Sequence, residues 1–360
     1  MKRFMASLAT SSTTALQASR KFNIHVLGRD AQATGVLSSS LLAKDFGAKF
    51  NVTSSLPLDS IPSDTTFSAP AYTSLLSTAT LGRNMLYSPL LPSTQTLVNQ
   101  IANEVPPGTV CVADRQTAGK GRGCNVWYSP PGCLLFTFTF TTTDGKNLPF
   151  AQYLLSLALV QAIQRLDEGS SAVKIKWPND IYAKVARHGN KGKVEVDEAG
   201  DGDDGDGDDG DGDGDGDDDG STLQSGAIGE KTTSSTLDAS SFVAPPMHDH
   251  QYTKIGGVLC QSTYDYTSKK FLVVAGIGLN VENEAPTTCL KSLFPSHVVV
   301  NRENVLAHFF NVLEPMLQHF NDTGFQHYYN DYVSEWLVSC ERCIILVYSP
   351  FAVVIYSYCC

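Results

Sequence analysis

Apolar and polar residues alternate most regularly along residues 133–142. Phe136 and Phe138 fall on one face of this segment, whereas Thr137 and Thr139 fall on the other. A period of two is that of a β-strand, so the segment is predicted to be a long strand. Shorter runs rich in apolar residues predict further strands at residues 109–113, 173–177, 181–183, 254–263 and 271–281.

Other segments carry their apolar residues at helical spacing. One helix is predicted over residues 94–104, with Ser93 and Thr94 available as N-caps. Residues 151–166 are nearly all apolar, which predicts a helix buried against the sheet. Two amphipathic helices are predicted behind the sheet, at residues 301–320 and 325–337. This order of elements predicts an α+β fold, in which helices flank a mixed β-sheet.

The apolar pattern is lost between the strands predicted at 181–183 and 254–263. Residues 201–220 consist of twelve Asp and eight Gly, a composition that cannot bury a core. We therefore predict a disordered acidic insertion over residues 186–250, inside a domain of residues 82–338. A solvated hairpin insertion is the favoured interpretation.

The acidic run also resembles the first half of a calcium-binding EF-hand loop. Asp211, Asp213, Asp215 and Gly216 match its spacing, but Thr222 stands where that loop needs Glu. The flanking segments are not helical in pattern either, so a specific calcium site is disfavoured.

The N-terminal third is less informative. Residues 30–81 mix short apolar pieces with Ser, Thr and Pro, and they predict no element. Residues 1–29 contain no acidic residue, five basic residues and many Ser, Thr and Ala. This composition fits an organelle transit peptide or a disordered start of a cytoplasmic chain. The expected location is the cytoplasm, with import into chloroplasts or mitochondria as the alternative.

Charge argues against a nucleic-acid partner. The 360-residue chain has a net charge of −11, but without the twelve Asp of the acidic run 25 acidic residues remain against 26 basic ones. A near-neutral domain lacks the basic surface that nucleic acids select.

The cysteines give little evidence for a disulfide-bonded or metal-binding protein. The nine cysteines form no disulfide framework, which suits a reducing compartment. Cys340 and Cys343 have metal-like spacing, but they lack a second pair, so a zinc site is disfavoured.

Residues 343–360 are uncharged and mostly apolar, and their number is at the lower length limit of a membrane helix. Pro350 and the β-branched content favour two strands or an aberrant end, and they disfavour a membrane anchor.

A loop after the strand at 109–113 combines glycine with positive charge. Gly119, Gly121 and Gly123 alternate with Lys120 and Arg122, as a phosphate-binding loop requires. It is not a Walker loop, because Gly121 follows Lys120 where Ser or Thr is needed, and the dinucleotide pattern is absent as well.

Three later motifs accompany this loop: Lys-Ile-Lys-Trp-Pro-Asn-Asp at 174–180, Lys-Ile-Gly-Gly-Val-Leu at 254–259 and Gly-Ile-Gly-Leu-Asn-Val at 276–281. Singly, each fits a turn, a bulge or close packing. Together and in this order, they resemble the catalytic domain of biotin protein ligases, the holocarboxylase synthetases of eukaryotes. The resemblance covers about residues 82–336, and the local sequence at residues 173–180 and 286–290 is most similar to that of the plant-type enzymes.

The resemblance implies a fold, an activity and partners. The fold is the biotin/lipoate protein ligase catalytic-domain type of mixed sheet. The activity is ATP-dependent conversion of biotin to biotinyl-5'-AMP, followed by transfer of biotin to a lysine of the biotin carboxyl-carrier domains of carboxylases. ATP with Mg²⁺ and biotin are the implied substrates, and no tightly bound prosthetic group is expected. The oligomeric state stays open.

The resemblance also assigns roles to single residues. Lys120, Arg122 and Lys254 are the implied catalytic residues, since two anionic reactants meet only where positive charge offsets their repulsion. The loop of Arg122 is implied to fold over the adenylate and retain it. Two binding sets follow, which share several members. The set for biotin is Ser93, Thr94, Gln95, Gln116, Lys120, Gly121, Arg122 and Lys254. The set for the nucleotide is Arg122, Trp127, Lys176, Asn179, Asp180 and Asn280, with Asp180 also holding Mg²⁺.

This chain departs from the family in two places. Gln95 stands where the family has Asn, and Ser93 and Thr94 also fit plain helix caps. The family continues with a small C-terminal β-barrel, whereas residues 339–360 here form an atypical apolar tail. Two alternatives therefore stay open: a lipoate-protein ligase-like enzyme, and a biotinyl-adenylate-binding protein with impaired transfer.

Overall fold

A computed structural model describes residues 22–28, 35, 37–39, 50–54, 67–123, 125–167, 172–186, 250–283, 285–337, 343–348 and 352–357. Most of the predicted transit segment, the acidic insertion with its EF-hand match, and Cys340 lie outside these residues. The chain divides into a unit of residues 1–187 and 248–360 and a second unit of residues 188–247, which is also outside them.

Strands dominate the described residues. They are β1 (Phe22–Leu27), β2 (Phe50–Ser54), β3 (Met85–Leu91), β4 (Val110–Gln116), β5 (Gly119–Lys120), β6 (Val126–Trp127), β7 (Cys133–Thr142), β8 (Val173–Lys176), β9 (Asp180–Ala186), β10 (His250–Asp265), β11 (Lys270–Asn280), β12 (Cys343–Tyr348) and β13 (Ala352–Ser357). The α-helices are α1 (Ala69–Leu75), α2 (Thr94–Ile101), α3 (Ala151–Gln164), α4 (Arg302–Thr323) and α5 (Tyr329–Ser334).

Nine strands form one sheet in the order β2-β1-β3-β4-β7-β11-β10-β9-β8. β1 pairs with β2, and β3 with β4, in parallel, whereas the remaining neighbours are antiparallel. The predicted mixed sheet of an α+β fold is therefore confirmed. β12 and β13 pair with each other in a small antiparallel sheet. The sequence of this tail favours two strands or an aberrant end, and the structure shows two strands.

Helices cover both faces of the large sheet. On one face, α3 and α4 bury the phenylalanines of β7, and the rings of Phe138 and Phe310 meet edge-on with centroids 5.2 Å apart. On the other face, α2 packs its apolar side on β4 and the strands beside it. Thr137 and Thr139 are fully buried on that second face. The alternation along β7 thus serves two buried faces.

Apart from the β5–β6 hairpin, four elements lie where the sequence pattern predicts none: β3, which precedes the first predicted helix, and three elements nearer the N-terminus. β1 falls inside the predicted transit segment 1–29, and β2 and α1 fall inside the unassigned residues 30–81. Their apolar runs are short, and each gains its stability from tertiary contacts. Ile24 and Val26 of β1 reach the core beneath α2, and Tyr72 of α1 is buried against α4.

The helix predicted over residues 325–337 is wrong in its length. A 3₁₀ turn at Gln326–Tyr328 leads into α5, which ends at Ser334. The chain then extends along the edge strand β8, where the Ile175 N–H donates to the Glu335 carbonyl at 2.8 Å. The Leu337 N–H donates to the Ile175 carbonyl at 2.7 Å. Pairing of the exposed sheet edge outweighs helical propensity here.

Two polar clusters fix α4 to the rest of the fold. Arg302 and Asp114 form a buried ion pair of 2.7 Å between α4 and β4, and the Tyr87 hydroxyl donates to the same carboxylate. Glu314 accepts hydrogen bonds from the backbone N–H groups of residues 79, 80 and 81. Within the described part of the chain, no helix has the length and apolarity to cross a membrane.

Candidate active site

A cavity of about 630 Å³ lies at the junction of the α2 start, the β5–β6 hairpin and the central strands β7, β10 and β11. This volume is within the range of small-molecule sites. All predicted site residues except Lys176 line this cavity. They are Ser93, Thr94, Gln95, Gln116, Lys120, Gly121, Arg122, Trp127, Asn179, Asp180, Lys254 and Asn280.

The first wall is built at the N-terminus of α2. Ser93 caps this helix, because its Oγ accepts a hydrogen bond from the Thr96 N–H at 3.4 Å. Thr94 instead joins a directed chain of hydroxyls and amides. Its Oγ1 accepts from Thr137 at 2.9 Å and donates to Gln116 Oε1 at 3.1 Å. Ser93 therefore both caps the helix and lines the cavity, whereas the Thr94 hydroxyl joins the hydrogen-bonded wall.

The same chain reaches the glycine-rich segment. Gln116 Nε2 donates to Ser129 Oγ at 3.2 Å, and Ser129 donates to the Trp127 carbonyl at 3.3 Å. Gln116 Oε1 also accepts from the Thr94 N–H at 2.7 Å. These bonds fix the orientation of the Gln116 carboxamide at the cavity wall.

The glycine-rich segment is a short hairpin in this structure, where the sequence predicts a flexible loop. β5 and β6 pair through Gly119 with Trp127 and Lys120 with Val126. Gly119 is required for this approach, because a Cβ there would lie 2.5 Å from the Trp127 carbonyl oxygen. The hairpin holds Lys120 and Arg122 at the cavity.

Arg122 is directed by Asn179. The Asn179 side chain donates to the Val258 carbonyl at 2.7 Å, so its Oδ1 faces the other way and accepts from Arg122 Nη1 at 3.3 Å. Asn179 is buried, and its backbone carbonyl accepts a hydrogen bond from the Val258 N–H at 2.9 Å. This fixed turn between β8 and β9 thus positions the guanidinium above the cavity.

Lys254 and Asp180 form an ion pair at the centre of the site, with Nζ and Oδ1 2.7 Å apart. Strand β10 has one extra residue opposite β9 between Lys254 and Gly256, which is a β-bulge. Bulges redirect side chains next to functional sites. The pair lies over Gly257, where a Cβ would be 3.3 Å from Asp180 Oδ1. The side chains remain 42% and 27% exposed, so the pair faces the open cavity.

Trp127 forms a further wall of the site. Its ring lies against Gly278, where a Cβ would be 2.6 Å from Trp127 Nε1. The Lys254 ammonium lies 6.0 Å from the ring centroid. Gly278 therefore leaves the space that the indole occupies.

Asn280 lies at the end of β11 and is held by its neighbours. Its Nδ2 donates to Thr287 Oγ1 at 2.8 Å, and its Oδ1 accepts from the Cys133 thiol at 3.4 Å. Burial raises the pKa of Cys133 to about 12, and the Arg302 charge offsets part of that increase. Cys133 thus stays protonated as a donor that supports Asn280.

Lys176 does not line the cavity, so its nucleotide contact stays a prediction without support from the cavity lining. Its Nζ lies 5.2 Å from the centroid of the Tyr182 ring, and Lys176 is not among the lining residues. The preceding lysine on this face, Lys174, pairs with Glu335 at 2.8 Å. The strand therefore carries both lysines away from the site.

Sequence reasoning missed Thr137, which lines the cavity, and Gln261, which contacts a lining residue from outside the cavity. Thr137 was detectable as a polar position within an apolar strand. Nothing in the sequence relates Gln261 to Gln95, although Gln95 Nε2 donates a hydrogen bond to Gln261 Oε1 at 3.0 Å. Among the described residues, no group of three or more His, Cys, Asp or Glu side chains could hold a metal ion. Asp180 is the one carboxylate among the described residues that line the cavity.

Several known proteins are similar to this chain. A profile of the biotin/lipoate A/B protein ligase family matches residues 87–195. Biotin–protein ligase 2 of Arabidopsis thaliana is 32% identical over 289 residues, covering 78% of this chain and 67% of the relative. Chloroplastic biotin–protein ligase 1 of the same plant is 32% identical over 290 residues, and the chain spans 60% of its length. The solved biotin protein ligase from Aquifex aeolicus in complex with biotin and ATP is 20% identical, with a TM-score of 0.45 over 70% of this chain and 78% of that one.

Proposed function

The chain belongs to the biotin protein ligase family, and from this premise we propose that it activates biotin with ATP and transfers it to a protein lysine. The observation that carries the proposal is the composition of one cavity. Lys120, Arg122 and Lys254 supply positive charge, whereas Thr94 and Gln116 supply neutral hydrogen-bonding groups. Such a cavity fits a ligand with an uncharged polar head and an anionic end.

The charged residues suit the first half-reaction. A biotin carboxylate oxygen forms a bond to the α-phosphorus of ATP while the bond to the leaving pyrophosphate breaks. Lys254 and Arg122 offset the repulsion between the two anions and the charge that develops in the transition state. Arg122 also covers the adenylate, in a position that Asn179 directs.

Asp180 would hold the Mg²⁺ that accompanies ATP. Magnesium at nucleotide sites binds one or two carboxylates together with phosphate oxygens, so a single carboxylate fits this use. The ion neutralises phosphate charge when it is bound. The Lys254 ammonium lies 2.7 Å from the Asp180 carboxylate, which supports a shared role of the two residues at the phosphates.

The second half-reaction forms an amide. The neutral amine of an acceptor lysine attacks the carbonyl carbon of the adenylate, the C–O bond to phosphate breaks, AMP leaves and the amine loses a proton. We propose biotin carboxyl-carrier domains of carboxylases as the acceptors. We also propose that the activity is cytoplasmic or organellar, which fluorescent fusions with and without residues 1–21 would resolve.

One assay tests the proposal. The protein is incubated with ATP, Mg²⁺ and a carrier domain, with biotin and lipoate in parallel reactions, and pyrophosphate, adenylate and labelled carrier are measured. Biotin-dependent pyrophosphate release with carrier labelling supports the proposal. Lipoate-dependent labelling alone overturns it, and adenylate without carrier labelling overturns its second half.

A further inference from the structure

The carboxamide of Gln95 has a defined orientation at the cavity. Its Nε2 donates to the Val274 carbonyl at 3.4 Å and to Gln261 Oε1 at 3.0 Å. A backbone carbonyl only accepts hydrogen bonds, so the amide nitrogen must face the Val274 carbonyl. The carbonyl oxygen Oε1 therefore faces Gly276 and the cavity, where a Cβ on Gly276 would lie 2.3 Å from it.

This oxygen keeps its capacity to accept a hydrogen bond. The nearest donor is the Thr137 hydroxyl, at 3.3 Å. The single proton of the Thr137 hydroxyl is shared between this oxygen and Thr94 Oγ1, which lies 2.9 Å from the Thr137 oxygen. A carbonyl oxygen has two lone pairs, so Gln95 Oε1 retains one for a ligand in the cavity, although Gln95 is only 5% exposed.

Gln261 enforces this orientation from outside the cavity. It is an exposed residue of β10, and it does not line the cavity. Its Oε1 accepts from Gln95 Nε2 and also from Asn99 Nδ2 at 2.6 Å. Both contacts use Gln261 as an acceptor, so its oxygen keeps the Gln95 nitrogen turned away from the cavity.

We propose that Gln261 is a positioning residue for substrate selection. By holding Gln95 Oε1 toward the cavity as an acceptor, it favours a head group whose ring donates N–H, such as the cyclic urea of biotin. A dithiolane ring, which has no N–H, gains nothing from this oxygen. The inference rests on the proposed function and deepens its substrate selectivity.

Two substitutions at this exposed position form a matched pair. Gln261→Glu retains oxygens that accept from both amides, whereas Gln261→Lys offers only donors. The lysine therefore favours the reversed carboxamide, with the Gln95 nitrogen facing the cavity. Both variants change one surface charge by one unit, and neither touches the cavity directly.

Biotin-dependent pyrophosphate release is measured for wild type and both variants, with KM determined separately for biotin and ATP. For Gln261→Lys we expect KM for biotin to rise roughly tenfold, the loss of about one net hydrogen bond. The turnover number and KM for ATP should stay within about twofold, and Gln261→Glu should match wild type. Calorimetric binding of biotin should show the same order.

Three outcomes would overturn the inference while leaving the proposed function intact: an unchanged KM for biotin in Gln261→Lys, equal increases in both variants, or a parallel rise in KM for ATP. Wild-type protein that releases no pyrophosphate with biotin would overturn the proposed function itself, and the inference with it.

Discussion

Replacing Lys254 with methionine should separate catalysis from stability. Methionine keeps the length and apolar stem of the side chain but removes the charge that pairs with Asp180. Because the two side chains are 42% and 27% exposed, solvent screens the pair, and its loss should cost at most about 1 kcal/mol of unfolding free energy. The same charge faces the reacting phosphate in the proposed mechanism. Its loss should lower the adenylation rate by about 10²–10³-fold, roughly 3–4 kcal/mol of transition-state stabilisation.

The chain provides a matched control in Lys174. This lysine pairs with Glu335 at 2.8 Å, with side chains 24% and 17% exposed, and it lies outside the cavity. Lys174→Met should cost as much stability as Lys254→Met, or more, because its pair is less exposed. Its rate of biotinyl-AMP formation should stay near wild type.

Urea unfolding and single-turnover formation of biotinyl-AMP would measure the two effects. A loss of less than about tenfold in Lys254→Met would refute the electrostatic role that the cavity implies. A comparable loss in Lys174→Met would show that the effect arises from general weakening of the sheet.

Three further predictions concern stability and the cavity wall. Gly278→Ala should displace the Trp127 ring, because the added Cβ would lie 2.6 Å from its Nε1, and KM for ATP should rise several-fold in pyrophosphate-release assays, whereas an unchanged KM would contradict this packing. Arg302→Met should leave the Asp114 carboxylate buried without its cation and cost about 3–5 kcal/mol in urea unfolding; a loss below about 1 kcal/mol would count against it. Burial raises the pKa of Glu314, but hydrogen bonds from three backbone N–H groups outweigh it and hold that pKa below 4.5. Its stabilisation should therefore be present above about pH 4.5 and disappear as the pH falls through the lowered pKa. Glu314→Gln should lose about 1 kcal/mol at pH 7 and progressively less as the pH is lowered below about 4.5, and a loss independent of pH would refute this.

The central strands were predictable because both faces of the sheet are buried. In β7 the alternation of Phe136 and Phe138 with Thr137 reveals the pleat, and the predicted bounds 133–142 match the observed strand. Helix α1 could not be predicted, since it has only seven residues and depends on the burial of Tyr72. The extended backbone at Trp336 depends on a sheet edge that no local pattern reveals.

The candidate site was predictable by residue type but not by contact. The motifs identify Lys254 and Asp180, yet their ion pair requires the strand register and the bulge between β9 and β10. The contact between Gln261 and Gln95 joins residues 166 positions apart, on a strand and a helix. Periodicity carries no information about such pairs, because it describes faces and not partners.

The register of β9 and β10 also determines where the chain can change in length. Asp180 is paired with Gly257 at the cavity, and Ala186 is paired with His250 at the other end of the same ladder, about 20 Å away. Because these strand ends pair directly, the ladder fixes the register of Lys254 and Asp180 independently of how many residues connect the strands. Each doubling of a flexible connection costs only about 0.6 kcal/mol of closure entropy. A change in the length or composition of residues 187–249 should therefore leave the Lys254–Asp180 geometry unaltered. This makes the segment between β9 and β10 a suitable place to insert another domain.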